Sequence, residues 1–122
     1  MRGWLDKFRS APPAIPEVTS STDLEELLHH EAVILFKHSA ACPVSWAAYA
    51  HVLRFFNSQQ SVPLYLVPVL SQRAASRKIA DHTGVRHESP QIIFLRNGVA
   101  AESASHGAIT ESLLAGMLAQ CR

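Results

Sequence analysis

Apolar strand-like runs alternate with helix-like segments along this chain, and no other feature restricts its fold as strongly. Ala32 to Lys37 is an apolar, β-rich run typical of a strand buried on both faces. Pro43 to Asn57 reads as a helix that begins with proline, whose missing N–H is harmless there. Val62 to Leu70 and Gln91 to Arg96 are further strands. This order predicts an α/β fold, with helices on both faces of a central, mainly parallel sheet of four to five strands.

Turn and cap residues mark the remaining elements. Thr22 with Glu25 forms a capping box, and Ser71 is a second candidate helix cap. Asn97-Gly98 is a strong hairpin turn, which adds an antiparallel edge and makes the sheet mixed. The elements predicted around these signals are a short strand over Ile15 to Val18, helices over Thr22 to His30 and Ser71 to Thr83, a returning strand over Val99 to Ser103 and a last helix from Thr110 through Ala119.

Length and charge indicate one ordinary packed domain. The chain has 122 residues and a net charge of +1, which gives no sign of a nucleic-acid partner. We expect residues 1–16 to be an N-terminal extension, with Trp4, Leu5 and Phe8 on one face of a short helix, and residues 17–122 to be the domain. The sequence lacks a long apolar run and a signal-peptide core, so we expect no membrane span and a cytoplasmic location. The histidines show no metal-ligand spacing.

The two cysteines stand in very different places. Cys42 begins the stretch Cys42-Pro43-Val44-Ser45 at the predicted strand-to-helix turn, where unpaired N–H groups and the helix dipole favour a thiolate. Ser45 occupies the position that the second cysteine of a Cys-x-x-Cys pair would take. Cys121 is the penultimate residue, and we do not expect it to resolve a disulfide at Cys42. The sequence therefore predicts a reactive thiol that works with one cysteine.

The element order, the cysteine after an early buried strand and a Ser89-Pro90 dipeptide before the hairpin resemble the thioredoxin fold. In that fold a cis-proline precedes a strand and lies beside the active-site cysteine. We therefore expect the Ser89–Pro90 peptide bond to be cis. Such a proline has no N–H and turns the preceding backbone outward. The N–H and C=O of Ser89 would then be free to pair with an extended or thiol-bearing substrate.

Four short motifs make the resemblance closer. They are similar to those of the monothiol bacilliredoxins, bacillithiol-system proteins that carry Cys-Pro-x-Ser on a thioredoxin-like scaffold. The similarity extends from about Val18 to Leu118, and the chain departs from the pattern in its proline-bearing extension and at Gly107, where a bulky aromatic residue is expected. The motifs are Phe36-Lys37-His38-Ser39, Cys42-Pro43-Val44-Ser45, His87-Glu88-Ser89-Pro90-Gln91, and Ser105-His106 with Ile109-Thr110.

The resemblance implies that the protein removes bacillithiol from protein mixed disulfides. The Cys42 thiolate would attack the bacillithiol sulfur, the client thiol would leave, and Cys42 would carry the bacillithiol. Ser45 cannot close an internal disulfide, so the adduct would wait for free bacillithiol or a partner's cysteine. The implied partners are bacillithiolated client proteins, a low-molecular-weight thiol, and a reductase or second bacilliredoxin. No bound cofactor is implied, and bacillithiol is the thiol co-substrate.

Besides the catalytic Cys42, six residues are predicted to contact or position substrate: His38, Pro43, Val44, Ser45, Ser89 and Pro90. His38 would tune the cysteine if its ring lies close, and would otherwise be an ordinary strand-end residue. Ser45 would be either a plain helix residue or a hydrogen-bond partner of the Cys42 sulfur. His87 and Glu88 are expected mainly to shape the loop before the proline.

Two other groups of side chains have an expected place. A helical stripe is predicted to pack in the core, with Trp46 as the one candidate for the rim of the site. Three cations share one predicted helix and are expected to face solvent, or else to attract the carboxylates of bacillithiol. The stripe is Trp46, Tyr49, Leu53 and Phe56, and the cations are Arg73, Arg77 and Lys78.

Other functions stay open from the residues alone. A glutaredoxin-like enzyme that uses glutathione would have the same monothiol chemistry at Cys42. An iron–sulfur carrier would hold a cluster between two subunits, although Pro43 stiffens the turn beside the ligand. A thioredoxin-like module that only binds a client would need no reactive thiol. The rate at which Cys42 is alkylated at neutral pH separates this last class from the enzymes.

Overall fold

The computed structural model describes residues 14–59 and 61–121. It confirms the α/β prediction, because four strands form one mixed sheet with helices on both faces. The predicted helix through Trp4, Leu5 and Phe8 lies outside the described residues, as does most of the 1–16 extension. The described elements are α1 (Leu24–Leu28), β1 (Ala32–His38), α2 (Pro43–Ser58), β2 (Leu64–Pro68), α3 (Arg73–Thr83), β3 (Gln91–Arg96), β4 (Val99–Ser105), a 3₁₀ turn (His106–Ala108) and α4 (Glu111–Ala119). None of these helices is long and apolar enough to cross a membrane.

The strands lie in the order β2-β1-β3-β4. β1 pairs in parallel with β2 but antiparallel with β3, and β3 forms the predicted hairpin with β4. The expectation of mainly parallel pairing is therefore wrong. The reason for the antiparallel pairing is the path of the chain after α3. α3 ends beside the hairpin turn, where the His82 ring bonds the Gly98 C=O at 2.9 Å. Residues 84–90 then return to the opposite end of the sheet before β3 begins.

The outer edge of β2 is covered by the segment before α1. The Leu66 N–H donates to the Pro16 C=O at 2.8 Å, and the Val18 N–H donates to the Leu66 C=O at 2.8 Å. The strand predicted over Ile15 to Val18 is thus reduced to one parallel bridge, Glu17 with Leu66. A run of four residues with a proline in its middle has too few N–H groups for a longer ladder.

Each face of the sheet has its own apolar cluster. Side chains alternate along each strand, so neighbouring residues of β1 point to opposite faces. Ile34 and Phe36 pack against α2 and α4, whereas Val33 and Leu35 pack against α1 and α3. β1 is fully buried on both faces from Val33 to Lys37, as its sequence predicts. The next residue, His38, ends the strand and leads to the cysteine-bearing turn.

Two turn glycines adopt the left-handed backbone that favours glycine. Asn97 and Gly98 both have positive φ, 51° and 84°, which confirms the predicted hairpin turn. A β-carbon at Gly98 would approach the His29 ring at 3.3 Å, so space as well as conformation favours glycine there. Gly84 ends α3 with φ 72°, as predicted from its position after Thr83.

Two predicted helix caps are wrong, while the last one is confirmed. α1 is capped by Asp23, whose carboxylate accepts from the Glu26 N–H at 3.1 Å, and Thr22 instead accepts from the Thr19 N–H. α3 begins after Gln72 rather than at Ser71, and no side chain caps it. Thr110 caps α4 by accepting from the Leu113 N–H. Asp23 is the better cap at its position because its carboxylate also meets the helix dipole.

The predicted core stripe of α2 is wrong by one position. The buried residues of this helix are Ser45, Ala48, Val52 and Phe55. Tyr49, Leu53 and Phe56 are only partly buried beside the cluster, and Trp46 is 48% exposed. Trp46, Tyr49 and Phe56 therefore flank the contact line, and Phe55 is the one aromatic residue of this helix that is buried on it.

Candidate active site

Cys42 caps the amino end of α2, as its sequence position predicts. Its C=O accepts from the N–H groups of Ser45 and Trp46 at 3.1 and 3.2 Å, and its own N–H donates to the Ser39 C=O at 3.1 Å. Pro43 takes the first helical position, so one N–H that would be unpaired is missing. The Cys42 side chain makes no capping bond and is partly exposed. The Cys42 backbone is thus fixed at the positive end of a helix, and its partly exposed sulfur is available for chemistry.

Ser45 is buried, and its hydroxyl forms hydrogen bonds at the end of the strand that precedes the cysteine. Its Oγ accepts from the Ser39 N–H at 2.9 Å and lies 2.7 Å from His38 Nδ1. Neither expected alternative for this residue describes what it does, because its hydroxyl bonds the His38 ring and the Ser39 backbone. A serine hydroxyl is small enough to bond both groups at once. Ser45 therefore fixes the turn that carries Cys42.

The His38 ring is enclosed by aromatic side chains. Trp46 meets it edge-on at 4.5 Å between centroids, and Tyr49 and Phe36 lie at 5.2 and 5.6 Å. Burial lowers the pKa of His38, although Glu17 and the Ser45 bond oppose this. Nε2 is buried and has no partner among the described side chains or backbone groups. His38 is therefore predominantly neutral at neutral pH, with one ring nitrogen bound to Ser45.

Two apolar side chains stand in solvent beside the cysteine. Val44 and Trp46 are each 48% exposed. The Trp46 indole is not free to swing, because its Nε1–H donates to the Ala40 C=O at 2.9 Å. Its predicted place at the rim of the site agrees with this exposure. An exposed, fixed aromatic ring thus provides apolar contact surface close to the partly exposed thiol.

The loop before β3 carries the other predicted site residues. The Ser89–Pro90 bond is cis, which confirms that prediction. Pro90 is buried, and its C=O accepts from the His106 N–H at 3.1 Å. Within the described residues, the Ser89 N–H and C=O make no hydrogen bond, and its Oγ is buried without a partner. The expected free backbone of Ser89 is thus present.

Lys37 was not predicted as part of any site, yet it is fully buried. Its Nζ donates to the Ser76 C=O at 3.0 Å and lies 3.0 Å from His87 Nδ1. The Ser76 Oγ also lies 3.0 Å from His87 Nδ1. Because an ammonium can only donate, Nδ1 accepts and the ring proton resides on Nε2. The one sequence signal for this cluster is alternation along β1. Lys37 shares a face of the strand with Val33 and Leu35, and that face is predicted to be buried.

Electrostatics around Lys37 follow from its burial. Desolvation lowers the pKa of Lys37 to about 8. Burial, and then the Lys37 charge, lower the pKa of His87, and Glu88 opposes the change. His87 therefore does more than shape the loop, since it accepts a bond from a buried amine. Glu88 itself bonds the Ser105 hydroxyl across the loop.

Comparison with solved structures identifies the fold. A thioredoxin-fold protein provisionally assigned as an oxidoreductase is 32% identical over 84% of this chain and 92% of its own, with a TM-score of 0.76. Thioredoxin from Trypanosoma brucei brucei is 12% identical, covering 93% of this chain and 95% of its own, with a TM-score of 0.73. A Malassezia sympodialis thioredoxin is 18% identical, covering 90% and 93%, with a TM-score of 0.68. The two thioredoxins show the fold alone.

The family follows from a match along most of the domain. The monothiol bacilliredoxin BrxC family matches residues 16–114, which include α1, all four strands and the start of α4. The matched range contains Cys42, Ser45 and the Ser89–Pro90 loop. Together with the thioredoxin fold, this match assigns a thiol-redox function of the monothiol bacilliredoxin type. The chain belongs to the monothiol bacilliredoxin BrxC family.

Proposed function

We propose that the protein removes bacillithiol from protein mixed disulfides through Cys42. The observation that carries the proposal is a partly exposed cysteine at the start of α2 in a chain of this family. The residue at the resolving position, Ser45, is buried and bonded to His38 and Ser39. A site of this composition favours exchange that passes through an adduct with a small thiol.

The proposed cycle has two exchange steps. The Cys42 thiolate attacks the bacillithiol sulfur of a client–S–S–bacillithiol bond, that bond breaks, and the client leaves as a thiolate that takes a proton. Cys42 then holds bacillithiol in a new disulfide. The thiolate of a second bacillithiol attacks the bacillithiol sulfur of this adduct, which releases oxidised bacillithiol and returns the Cys42 thiolate. A reductase or a second bacilliredoxin would take the oxidised product or the adduct onward.

Two features support the binding of an extended client at this site. The free N–H and C=O of Ser89 can pair with a backbone segment, as an added strand does. Val44 and Trp46, which follow Cys42 closely in the chain, offer exposed apolar contact. Pro43 and Pro90 stiffen the two segments that present these groups. We propose a reducing compartment, the cytoplasm, as the setting of the reaction, because the cycle consumes a supply of reduced thiol.

The decisive experiment is intact mass measurement after incubation with oxidised bacillithiol. We expect one bacillithiol mass on the wild-type protein and none on Cys42→Ser, whereas Cys121→Ser, the matched control, should behave as the wild type. A second addition of reduced bacillithiol should remove the adduct. An adduct only at Cys121, or none at all, would contradict the proposal. Competition with oxidised glutathione distinguishes the two thiols, and preferential glutathionylation of Cys42 would favour the glutaredoxin-like alternative.

A further inference from the structure

A cavity of about 340 Å³ opens between α3 and the chain that leaves β2. This volume lies in the range of small-molecule sites. Its apolar wall comes from Val69 and Leu70, and its polar wall from Arg73, Ser76 and Arg77 of α3 together with His87. The helix residues follow one face, at spacings of three and four, so they all point the same way. The cavity is thus a cleft with one apolar and one polar side.

The polar wall has positive charge without a compensating carboxylate. No aspartate or glutamate lines the cavity, and neither arginine forms an ion pair within the described part of the chain. The ammonium of Lys37 lies behind the wall, bonded to the Ser76 C=O and beside His87 Nδ1. Ser76 is only 4% exposed. Two arginines thus line a cleft that an anion can enter, with the Lys37 amine buried behind it, and the planar guanidinium groups suit a carboxylate.

The cavity lies at the same end of the sheet as the cysteine. The Val69 N–H donates to the His38 C=O at 3.0 Å, so the apolar wall touches the last residue of β1. Cys42 follows His38 by four residues, which span at most about 14 Å, and the turn from Ser39 to Cys42 shortens this. On the other side, His87 lies three residues before Pro90. The cleft and the cysteine-bearing turn thus lie at the same end of the sheet and meet through His38.

We propose that this cleft binds a carboxylate of the low-molecular-weight thiol that Cys42 exchanges, with Arg73 and Arg77 as the direct ligands. The inference rests on the proposed function for its ligand, which carries carboxylates. It also assigns one of the two expectations for the α3 cations. Lys78 differs from the arginines because it pairs with Glu25 at 2.9 Å and does not line the cleft.

The test compares two disulfides in the full-length protein. Oxidised bacillithiol carries carboxylates, and 2-hydroxyethyl disulfide carries none. For Arg73→Gln/Arg77→Gln, we expect the rate of Cys42 adduct formation with oxidised bacillithiol to fall at least tenfold, and the rate with 2-hydroxyethyl disulfide to change less than twofold. Lys78→Gln is the matched control, since it removes a charge from the same helix outside the cleft. It should leave both rates within twofold of the wild type.

Succinate separates this proposal from the function itself. As a dicarboxylate without a thiol, succinate should shift the backbone amide signals of α3 and His87 in the NMR spectrum of the wild type but not in that of the double variant. This readout holds even if bacillithiol is not the true partner. Three outcomes would overturn the proposal that the cleft binds a carboxylate. They are equal slowing of the double variant with both disulfides, equal slowing by Lys78→Gln, and succinate shifts that persist in the double variant. Absence of any Cys42 adduct with oxidised bacillithiol, with succinate shifts intact, would overturn the function and leave the anion site.

Discussion

Two polar clusters flank the end of β1, one on each face of the sheet, and they are built differently. The His38 cluster comprises His38, Ser39 and Ser45, lies on the α2 face and is neutral, with short bonds that join strand, turn and helix. The Lys37 cluster comprises Lys37, Ser76 and His87, lies on the α3 face and contains a buried amine without a carboxylate partner. The adjacent residues Lys37 and His38 of β1 thus belong to two different clusters, one that contains a charged amine and one that is neutral.

The difference indicates separate tasks. Neutral hydrogen bonds buried around a turn fix its geometry at small electrostatic cost, which suits a segment that must hold a reactive sulfur. A buried charge without a counterion is costly, and its field extends to the neighbouring side chains. The Lys37 cluster backs onto the cavity lined by Arg73 and Arg77. We therefore interpret the first cluster as positioning and the second as electrostatic.

The largest effect is expected from Ser45→Ala. It removes the partner of both the Ser39 N–H and the His38 ring, so the free energy of unfolding should fall by about 2–3 kcal/mol. The matched variant Ser76→Ala should lose only about 1 kcal/mol, because Lys37 bonds the Ser76 backbone C=O, which remains. Urea unfolding measures both. Equal losses would break the distinction between the two clusters.

Lys37→Met should change how stability depends on pH. Because the folded pKa is about 8 and the ordinary value 10.5, the unfolded chain holds a proton between these values that the folded chain has lost. The free energy of unfolding of the wild type should therefore rise from pH 8 towards pH 10.5, by on the order of 2 kcal/mol from this group. The variant should lack that rise.

Lys78→Met is the control for this measurement, since Lys78 is half-exposed in its pair with Glu25. Its pH profile should follow that of the wild type. The difference between wild type and Lys37→Met, measured in urea at several pH values, isolates the buried Lys37 amine from the other groups that titrate. Parallel profiles of stability against pH for the wild type and Lys37→Met would show that the Lys37 amine is solvated in solution.

A subtler change is expected in acid from His38→Asn, whose amide can keep a bond to Ser45. Burial lowers the folded pKa of His38 below 6.5, so the unfolded chain binds a proton first as the pH falls. This contribution is complete above pH 6.5 and is lost between 6.5 and the folded value. The variant should lose less stability than the wild type in that interval, by the same urea measurement. A steeper loss in the variant would contradict a neutral His38 cluster.

The smallest effect is expected from Arg54→Gln at the surface. Arg54 pairs with Glu111 at 2.9 Å, but the two side chains are 60% and 50% exposed. Solvent screens such a pair, so the free energy of unfolding should change by about 0.3 kcal/mol or less. Thermal unfolding at low and high salt measures it. A loss of unfolding free energy as large as that of Ser76→Ala would show that burial does not explain why the clusters contribute more to stability than a surface pair.

The sequence predicted the parts of the molecule that depend on local pattern. The hairpin turn at Asn97-Gly98 and the start of α2 at Pro43 were predicted from residues close together in the chain, whereas the cis bond before Pro90 followed from the resemblance to the thioredoxin fold. The bond from Ser45 to His38 was not, because it depends on the angle at which α2 meets β1. The sequence predicts Lys37 only as part of an apolar strand, and nothing local indicates hydrogen-bond partners 39 and 50 residues away.

The bridge between Glu17 and Leu66 has a practical consequence for anyone who shortens this protein. Residues 15–18 bring Ile15 to one apolar cluster and Val18 to the other, so this segment closes both sides of the sheet at once. A version beginning after Val18 would uncover the backbone of Leu66 at a sheet edge, where a neighbouring molecule could add a strand and start aggregation. Truncations intended for crystallisation or spectroscopy should therefore keep Ile15.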